Sequence, residues 1–184
     1  MKLKALSPLS KRLIYALTIV VGIVLDQLTK FLAVKYLEPV KSIPLWQDVF
    51  HLTYVENRGA AFGMLASHPW VFMTFSTVAI LILGVYLFVG TSYLSDKGED
   101  GKYPELGFLS GISLAFIVTG GIGNMIDRVA TRVLYETGFV VDFLDFTLIN
   151  FAVFNVADCF VTVGAVMLAV SLMLPMLKSV KKEK

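Results

Sequence analysis

Two aspartates in apolar surroundings are the residues of this sequence best suited to chemistry. Asp142 lies in the run Gly-Phe-Val-Val-Asp-Phe, and Asp158 stands at the start of a long apolar stretch. Two carboxyl groups held together at low dielectric share one proton, because both cannot be ionised at low cost. The ionised member can deprotonate a water while the protonated member polarises a carbonyl group. The pair therefore suits peptide hydrolysis.

Spacing and environment alone leave alternatives to a catalytic pair. Acidic residues in a membrane also form proton or ion pathways, so a small proton-coupled transporter or a non-enzymatic scaffold would carry them as well. Asp26 and Lys30 are four residues apart, and we expect them to pair on one helix face as polar contacts between helices. We expect Asp127, which Arg128 follows, to be structural, and Asp145 to lie at a surface or turn.

The sequence contains no common metal-binding motif. It has one cysteine and two histidines, and neither HExxH nor CxxC occurs. These are spacings that zinc sites use. Asn155 lies three residues before Asp158, so its amide can donate a hydrogen bond to that carboxylate from the same helix face. We therefore expect a site of side-chain carboxyl and amide groups without a metal.

The composition is that of a small integral membrane protein. Of the 184 residues, 57% are apolar and 16% are charged, and the formal net charge is +2. A soluble domain usually has about a quarter of its residues charged. Sparse charge and a single cysteine exclude a disordered chain, a disulfide scaffold and a basic domain that binds nucleic acid. We expect one all-α membrane domain over residues 1–184.

Four apolar stretches are each long enough to cross a bilayer as a helix, which takes roughly 20 residues. These predicted spans cover residues 13–34, 70–90, 106–125 and 154–177. The connections between them are outer loops at 35–69 and 126–153 and a cytoplasmic loop at 91–105. Segment 49–55 is rich in β-branched and aromatic residues and predicts a strand, with 60–65 as a second candidate. The fold class is therefore four transmembrane helices with a small extracytoplasmic β-containing region between helices 1 and 2.

The basic residues predict how the helices are oriented. With four spans, ten lysine and arginine residues fall in the two termini and the middle connection, against five on the other side. Cytoplasmic segments carry the excess of basic residues in membrane proteins. We therefore expect both termini in the cytoplasm, with the acidic candidates gathered near the outer face.

Five sequence blocks resemble the lipoprotein signal peptidases, also called signal peptidase II, which are intramembrane aspartic proteases of bacteria. The blocks occur in the order of that family, from the first predicted span to the fourth. They are 26–30 (DQLTK), 57–62 (NRGAAF), 120–128 (GGIGNMIDR), 140–143 (VVDF) and 154–158 (FNVAD). Each block is weak alone, but five in order across nearly the whole chain are specific.

The resemblance implies a role for each candidate residue. It implies that Asp142 and Asp158 form the catalytic dyad. The residues implied to bind substrate or support the site are Asn57, Gly59, Asn124, Arg128 and Asn155. The residues implied to be structural are Asp26, Lys30 and Asp127.

The resemblance also implies the reaction and its setting. The substrate would be a diacylglyceryl-modified prolipoprotein, cleaved just before the lipidated cysteine, without metal or organic cofactor. The protein would be a multi-pass protein of the bacterial cytoplasmic membrane, in contact with its lipids and expected to be a monomer. The segment 129–137 is longer than the link that we expect at this place in the family, and it predicts an extended exposed loop.

Overall fold

The computed structural model describes residues 6–59, 69–90 and 107–182. Four α-helices lie in the described ranges: α1 (Pro8–Leu37), α2 (Pro69–Val85), α3 (Phe108–Tyr135) and α4 (Val156–Lys182). A π-helix, Tyr86–Gly90, continues α2, and a 3-10 helix covers Thr147–Ile149. The strands are β1 (Ser42–Trp46), β2 (Phe50–Asn57) and β3 (Val140–Asp145). The chain is therefore mainly helical with a small sheet.

Three helices of the described part are long and apolar enough to cross a membrane. They are α1, α3 and the Val156–Met173 part of α4. The second predicted span corresponds to a shorter apolar helix, Met73–Val89. The predicted cytoplasmic loop at 91–105 and the candidate strand at 60–65 lie outside the described residues.

The third helix is longer than the sequence predicted. The sequence predicts an outer loop at residues 126–135, but α3 continues through them to Tyr135. One face of this extension is buried, with Asp127, Arg128 and Thr131, while Val133 on the other side is 76% exposed. The polar residues of the buried face lower the mean hydropathy of this segment, so hydropathy does not predict it as part of the helix. Segment 129–137 is thus mostly exposed, as expected, but helical to residue 135 rather than an extended loop.

The sheet is antiparallel with the order β1-β2-β3. The strand predicted at 49–55 is confirmed as β2, but the sheet is not confined to the connection between helices 1 and 2. Its third strand comes from the connection between α3 and α4. The prediction missed β3 because its first four residues are all buried, so it shows none of the alternation of a half-buried strand. β1 is exposed throughout and contains Pro44, which also hides the strand pattern.

Two glycines let α3 approach its neighbours closely. A Cβ on Gly120 would collide with the carbonyl oxygen of Ala157, at the start of α4. A Cβ on Gly123 would collide with the carboxylate of Asp26 on α1. Small residues at helix contacts are the usual means of close packing in a membrane. The middle of α3 therefore lies directly against the two helices that carry the polar candidates.

Candidate active site

The two candidate catalytic aspartates come from different elements that meet near the start of α4. Asp142 lies on β3 and is 1% exposed, and Asp158 is the third residue of α4. After β3 the chain turns back, because Leu144 and Phe154 pair as an antiparallel bridge. The Leu144 N–H donates to the Phe154 carbonyl oxygen at 2.8 Å. This turn brings Asn155, which directly precedes α4, beside Asp142.

Asn155 and Asp158 cap the start of α4 reciprocally. The Asp158 N–H donates to Asn155 Oδ1 at 3.0 Å, and the Asn155 N–H donates to Asp158 Oδ2 at 3.1 Å. This is a capping box, which satisfies two backbone donors that would otherwise lack a partner. The hydrogen bond that the sequence predicts between these residues is present, through the Asn155 backbone rather than its amide. The capping box fixes the Asp158 carboxylate at the N-terminal end of α4.

Asp142 accepts hydrogen bonds from two asparagines. Asn57 Nδ2 donates to Asp142 Oδ2 at 2.8 Å, and Asn155 Nδ2 donates to Asp142 Oδ1 at 2.6 Å. The β2–β3 register explains the first contact. Val55 pairs with Asp142 and Asn57 pairs with Val140, so Asn57 is the diagonal neighbour of Asp142 on the same face.

Asn124 joins the second aspartate to a buried lysine. Its Nδ2 donates to Asp158 Oδ1 at 2.9 Å. Its Oδ1 accepts from Lys30 Nζ at 2.9 Å and from Asn155 Nδ2 at 3.0 Å. Each of the four carboxylate oxygens of Asp142 and Asp158 therefore accepts a hydrogen bond from an N–H group.

Burial controls the protonation of Asp142. Desolvation is the largest cause that raises its pKa, to about 7, and the nearby charge of Asp158 raises it further. The hydrogen bonds from Asn57 and Asn155 and the charge of Lys30 act in the opposite direction. Asp142 can therefore gain and lose a proton near neutral pH, as a general acid or base must.

A second polar cluster, called the lower cluster from here on, consists of Lys30, Asp26 and Asp127 and lies next to the first. Lys30 Nζ lies 2.9 Å from Asp26 Oδ2, the pairing that the spacing predicts, and 3.2 Å from Asp127 Oδ2. Asp26 Oδ1 accepts from the N–H of Ala157 at 2.9 Å, and Asp127 Oδ2 accepts from the N–H of Val141 at 3.1 Å. Each carboxylate is thus tied to the residue just before one of the candidate catalytic aspartates.

Gln27 also belongs to this lower cluster, although neither its residue type nor its spacing predicts a role in the site. Its Nε2 donates to Asp127 Oδ1 at 2.9 Å and to the Gly123 carbonyl oxygen at 3.2 Å. The signal that could have found it is its position inside the block at 26–30, between two residues that were named.

Arg128 ties two backbone segments beside the dyad together. Its Nη2 donates to the Gly59 carbonyl oxygen at 2.6 Å, and its Nη1 donates to the Gly138 carbonyl oxygen at 3.2 Å. The Gly59 N–H in turn donates to Asn57 Oδ1 at 3.0 Å. The end of β2 and the chain entering β3 are thereby held at fixed positions around Asp142.

The structure brings all ten candidate site residues into one continuous network. Asp145 stays apart from it and accepts a hydrogen bond from Thr53 Oγ1 at 2.7 Å. Across 6–59, 69–90 and 107–182, no group of three His, Cys, Asp or Glu side chains is arranged to hold a metal ion. What the network offers is two carboxyl groups that both contact Asn155 and that interact electrostatically, which chemically suits the activation of water.

Comparison with known proteins gives a consistent family. The profile described as Signal peptidase (SPase) II matches residues 18–174. The lipoprotein signal peptidase of Caldanaerobacter subterraneus is 46% identical over 154 residues, 83% of this chain and 92% of that protein. The lipoprotein signal peptidase of Brevibacillus brevis is 44% identical over 150 residues, 82% of this chain and 88% of that protein.

A solved structure shares the fold. It is described as a bacterial membrane enzyme structure determined by the in meso method at 2.3 Å resolution, and it superposes with a TM-score of 0.69. The two sequences are 27% identical, and the match covers 92% of this chain and 91% of the other.

Proposed function

We propose, from the premise that the chain belongs to the signal peptidase II family of bacterial membrane proteases, that it is an aspartic endopeptidase with Asp142 and Asp158 as its catalytic dyad. The observation that carries the proposal is the frame of hydrogen bonds around these two carboxyl groups. All four oxygens accept from N–H groups, and Asn155 contacts both aspartates. The frame holds the two carboxyl groups in fixed positions, while burial and the charge of Asp158 raise the pKa of Asp142 and so favour one proton on the pair.

The proposed reaction is direct attack by water on a peptide carbonyl. The ionised carboxylate of the dyad removes a proton from the water, and the protonated carboxyl donates a hydrogen bond to the carbonyl oxygen. The C–O bond forms and gives a tetrahedral intermediate. The C–N bond then breaks, with a proton passing from the dyad to the leaving amine. The raised pKa of Asp142, about 7, supports a protonated member near neutral pH.

The proposed substrate is a prolipoprotein whose cysteine already carries a diacylglyceryl group, with cleavage just before that cysteine. The relatives from Caldanaerobacter subterraneus and Brevibacillus brevis are named lipoprotein signal peptidases, which supports this class of substrate. Asn57 and Gly59, at the end of β2, would lie beside the extended chain that precedes the cysteine. The acyl chains would remain in lipid, where each buried methylene contributes about 0.8 kcal/mol.

The proposed setting is the bacterial cytoplasmic membrane, crossed by four helices with both termini in the cytoplasm. Three helices of sufficient length, and the shorter Met73–Val89, support this topology. Asp142 lies on a strand, and Asp158 lies in the first turn of α4 rather than at mid-helix. These positions support a site near the outer membrane–water boundary, where water arrives. We propose that the enzyme acts as a monomer.

A gel-shift assay in detergent micelles tests this function. The purified protein is incubated with a diacylglyceryl-modified prolipoprotein and, separately, with the same precursor lacking the lipid. The Asp158→Asn variant is incubated with both precursors in parallel. The proposal predicts loss of the signal peptide only when the unaltered protein meets the lipidated precursor. Cleavage of both precursors at equal rates would contradict the proposed substrate class. Cleavage by folded Asp158→Asn protein would contradict the proposed catalytic role of Asp158.

A further inference from the structure

Two of the three asparagines that face the dyad have their amide orientation fixed by the backbone. Asn57 Oδ1 accepts from the N–H of Gly59, and Asn155 Oδ1 accepts from the N–H of Asp158, both at 3.0 Å. A backbone N–H can only donate, so reversing either amide would place a donor against a donor. Each NH₂ group must therefore point at a carboxylate.

The third asparagine, Asn124, has its oxygen held by side chains. Lys30 Nζ donates to Asn124 Oδ1 at 2.9 Å. Asn155 Nδ2 also reaches this oxygen at 3.0 Å, but that NH₂ group lies 2.6 Å from Asp142 Oδ1 and 3.4 Å from the Val141 carbonyl oxygen as well. Its two hydrogens are divided among three acceptors, whereas an ammonium has three donors to give. Lys30 is therefore the stronger constraint on Asn124.

We propose, building on the dyad proposed above, that Lys30 is a positioning residue that orients the Asn124 amide and so keeps Asp158 the ionised, water-activating member. With the oxygen turned to Lys30, Asn124 Nδ2 faces Asp158 Oδ1 at 2.9 Å as a donor. The reversed amide would present a carbonyl oxygen there. An ionised carboxylate repels that oxygen, and only a protonated carboxyl group could satisfy it. The orientation of one amide thus selects which aspartate carries the shared proton.

The charges around Lys30 decide how its loss would act on the dyad. Asp26 on α1 and Asp127 on α3 lie within 3.2 Å of its ammonium, and Asp142 on β3 and Asp158 on α4 lie beyond Asn124. Arg128 on α3 is also a buried cation, and it interacts with the charges of Asp142, Asp127 and Asp158. Removing the charge of Lys30 makes the surroundings of the dyad more negative. Both limbs of the pH–activity profile should then move to higher pH, by about one unit.

The experiment uses an Asp26→Asn background, because Lys30→Gln alone would leave an excess of buried negative charge. An asparagine at this position keeps an oxygen for the Ala157 N–H. In this background we compare Lys30→Gln, Asn124→Ala and both together, measuring kcat and KM for lipidated prolipoprotein over a pH series spanning neutrality. Thermal unfolding of each protein reports whether it is folded.

The proposal predicts a specific pattern of kinetic changes. Lys30→Gln lowers kcat by about tenfold with little change in KM, as expected for coupled polar neighbours. The pH–activity profile moves to higher pH. Lys30→Gln causes no further loss of kcat once Asn124 is alanine, because Lys30 acts through that amide. A folded Lys30→Gln protein with the pH profile of its background, or an equal loss with and without Asn124, would overturn the proposal.

A charge-conserving variant keeps the proposal testable if the glutamine proteins do not fold. Lys30→Arg retains a cation with donors, so its pH–activity profile should match that of the unaltered protein. A shift to higher pH in folded Lys30→Arg protein would overturn the proposal. Failure of the dyad itself would look different, since folded Asp158→Asn protein would then still cleave with Lys30 intact.

Discussion

Two pairs of aspartates in the described part of the molecule differ in what surrounds them; Asp26, Asp127 and Asp142 are buried and Asp158 is half-buried. Asp26 and Asp127 both contact the ammonium of Lys30, at 2.9 and 3.2 Å. Asp142 and Asp158 receive their closest hydrogen bonds from the amides of asparagines and from a backbone N–H. A carboxylate beside a cation is stabilised in its charged form, whereas amides solvate a carboxyl group without forcing its charge. These surroundings fit the proposal that the first pair holds the fold and the second exchanges a proton.

The two pairs are connected through adjacent residues. Asp26 accepts the N–H of Ala157, directly before Asp158, and Asp127 accepts the N–H of Val141, directly before Asp142. Each aspartate of the lower pair (Asp26 and Asp127) thus fixes the backbone that carries one aspartate of the upper pair (Asp142 and Asp158). Substitutions that separate stability from activity can test this division of roles.

The largest expected effect is on catalysis by the upper pair. Asp142→Asn and Asp158→Asn should each lower the rate of prolipoprotein cleavage by about 10³-fold or more, because each removes a group that moves a proton. Both variants should fold, with a smaller loss of unfolding temperature than Asp127→Ala, because the asparagine NH₂ replaces one accepting oxygen but leaves no buried ion without its partner. Initial rates and thermal unfolding of the purified variants measure both. The matched control is Asp145→Asn, outside the network, which should cleave at nearly the unaltered rate.

The lower pair should show its effect in stability. Asp127→Ala removes one partner of a buried ion pair and the acceptor of the Val141 N–H, which should cost about 3 kcal/mol of unfolding free energy. Unfolding in detergent by denaturant titration measures this change. An unfolding free energy equal to that of the unaltered protein would mean that Asp127 does not support the fold.

A smaller effect is expected where α3 meets α4. Gly120→Ala places a Cβ against the Ala157 carbonyl oxygen and should cost about 2 kcal/mol, with lower cleavage as the start of α4 shifts. Gly84→Ala is the matched control, because a Cβ there has nothing within 4 Å. It should leave activity unchanged and raise stability by about 0.5 kcal/mol, since alanine favours a helix interior. Equal effects of the two substitutions would contradict the close approach.

The pH dependence should distinguish the upper pair further. If Asp142 acts in its protonated form, cleavage should fall by about tenfold for each pH unit above its pKa of about 7. The free energy of unfolding should also fall as the pH rises. The raised pKa means that Asp142 binds its proton more tightly in the folded protein, so its contribution is full below the unfolded pKa and is lost as pH rises towards 7.

The Asp142→Asn variant provides the control for that pH dependence. Between mildly acidic and neutral pH its unfolding free energy should change less than that of the unaltered protein, because the titrating group is gone. An identical dependence in the two proteins would show that Asp142 does not titrate in this range.

Hydropathy and local spacing were enough to predict the helices and one contact of the site. The apolar stretches gave α1, α3 and α4, and the four-residue spacing gave the Asp26–Lys30 pair. Hydropathy did not predict the C-terminal end of α3. A helix with a buried polar face around Asp127 and Arg128 has the low mean hydropathy of a loop. β3 was missed for the opposite reason, since a strand buried on both faces reads as a plain apolar run.

The connections across the site were beyond local reasoning. The Asp26 carboxylate accepts from an N–H 131 residues away, and Asn57 reaches Asp142 across 85 residues. No periodicity carries information about contacts at such separations. Resemblance to a family named the residues that meet, but it did not say which atoms donate or what fixes each amide. Those details depend on the β2–β3 register and on the turn that pairs Leu144 with Phe154.

The most direct test of the division between the two pairs is to measure Asp158→Asn and Asp127→Asn side by side. Cleavage of lipidated prolipoprotein and the unfolding temperature are recorded for both in the same detergent. For Asp158→Asn we predict no detectable cleavage and only a small loss of unfolding temperature, since one accepting oxygen becomes an NH₂ group but no ion loses its partner. For Asp127→Asn we predict a lowered unfolding temperature with measurable cleavage while the protein is folded. Near-normal cleavage by folded Asp158→Asn protein would contradict the account.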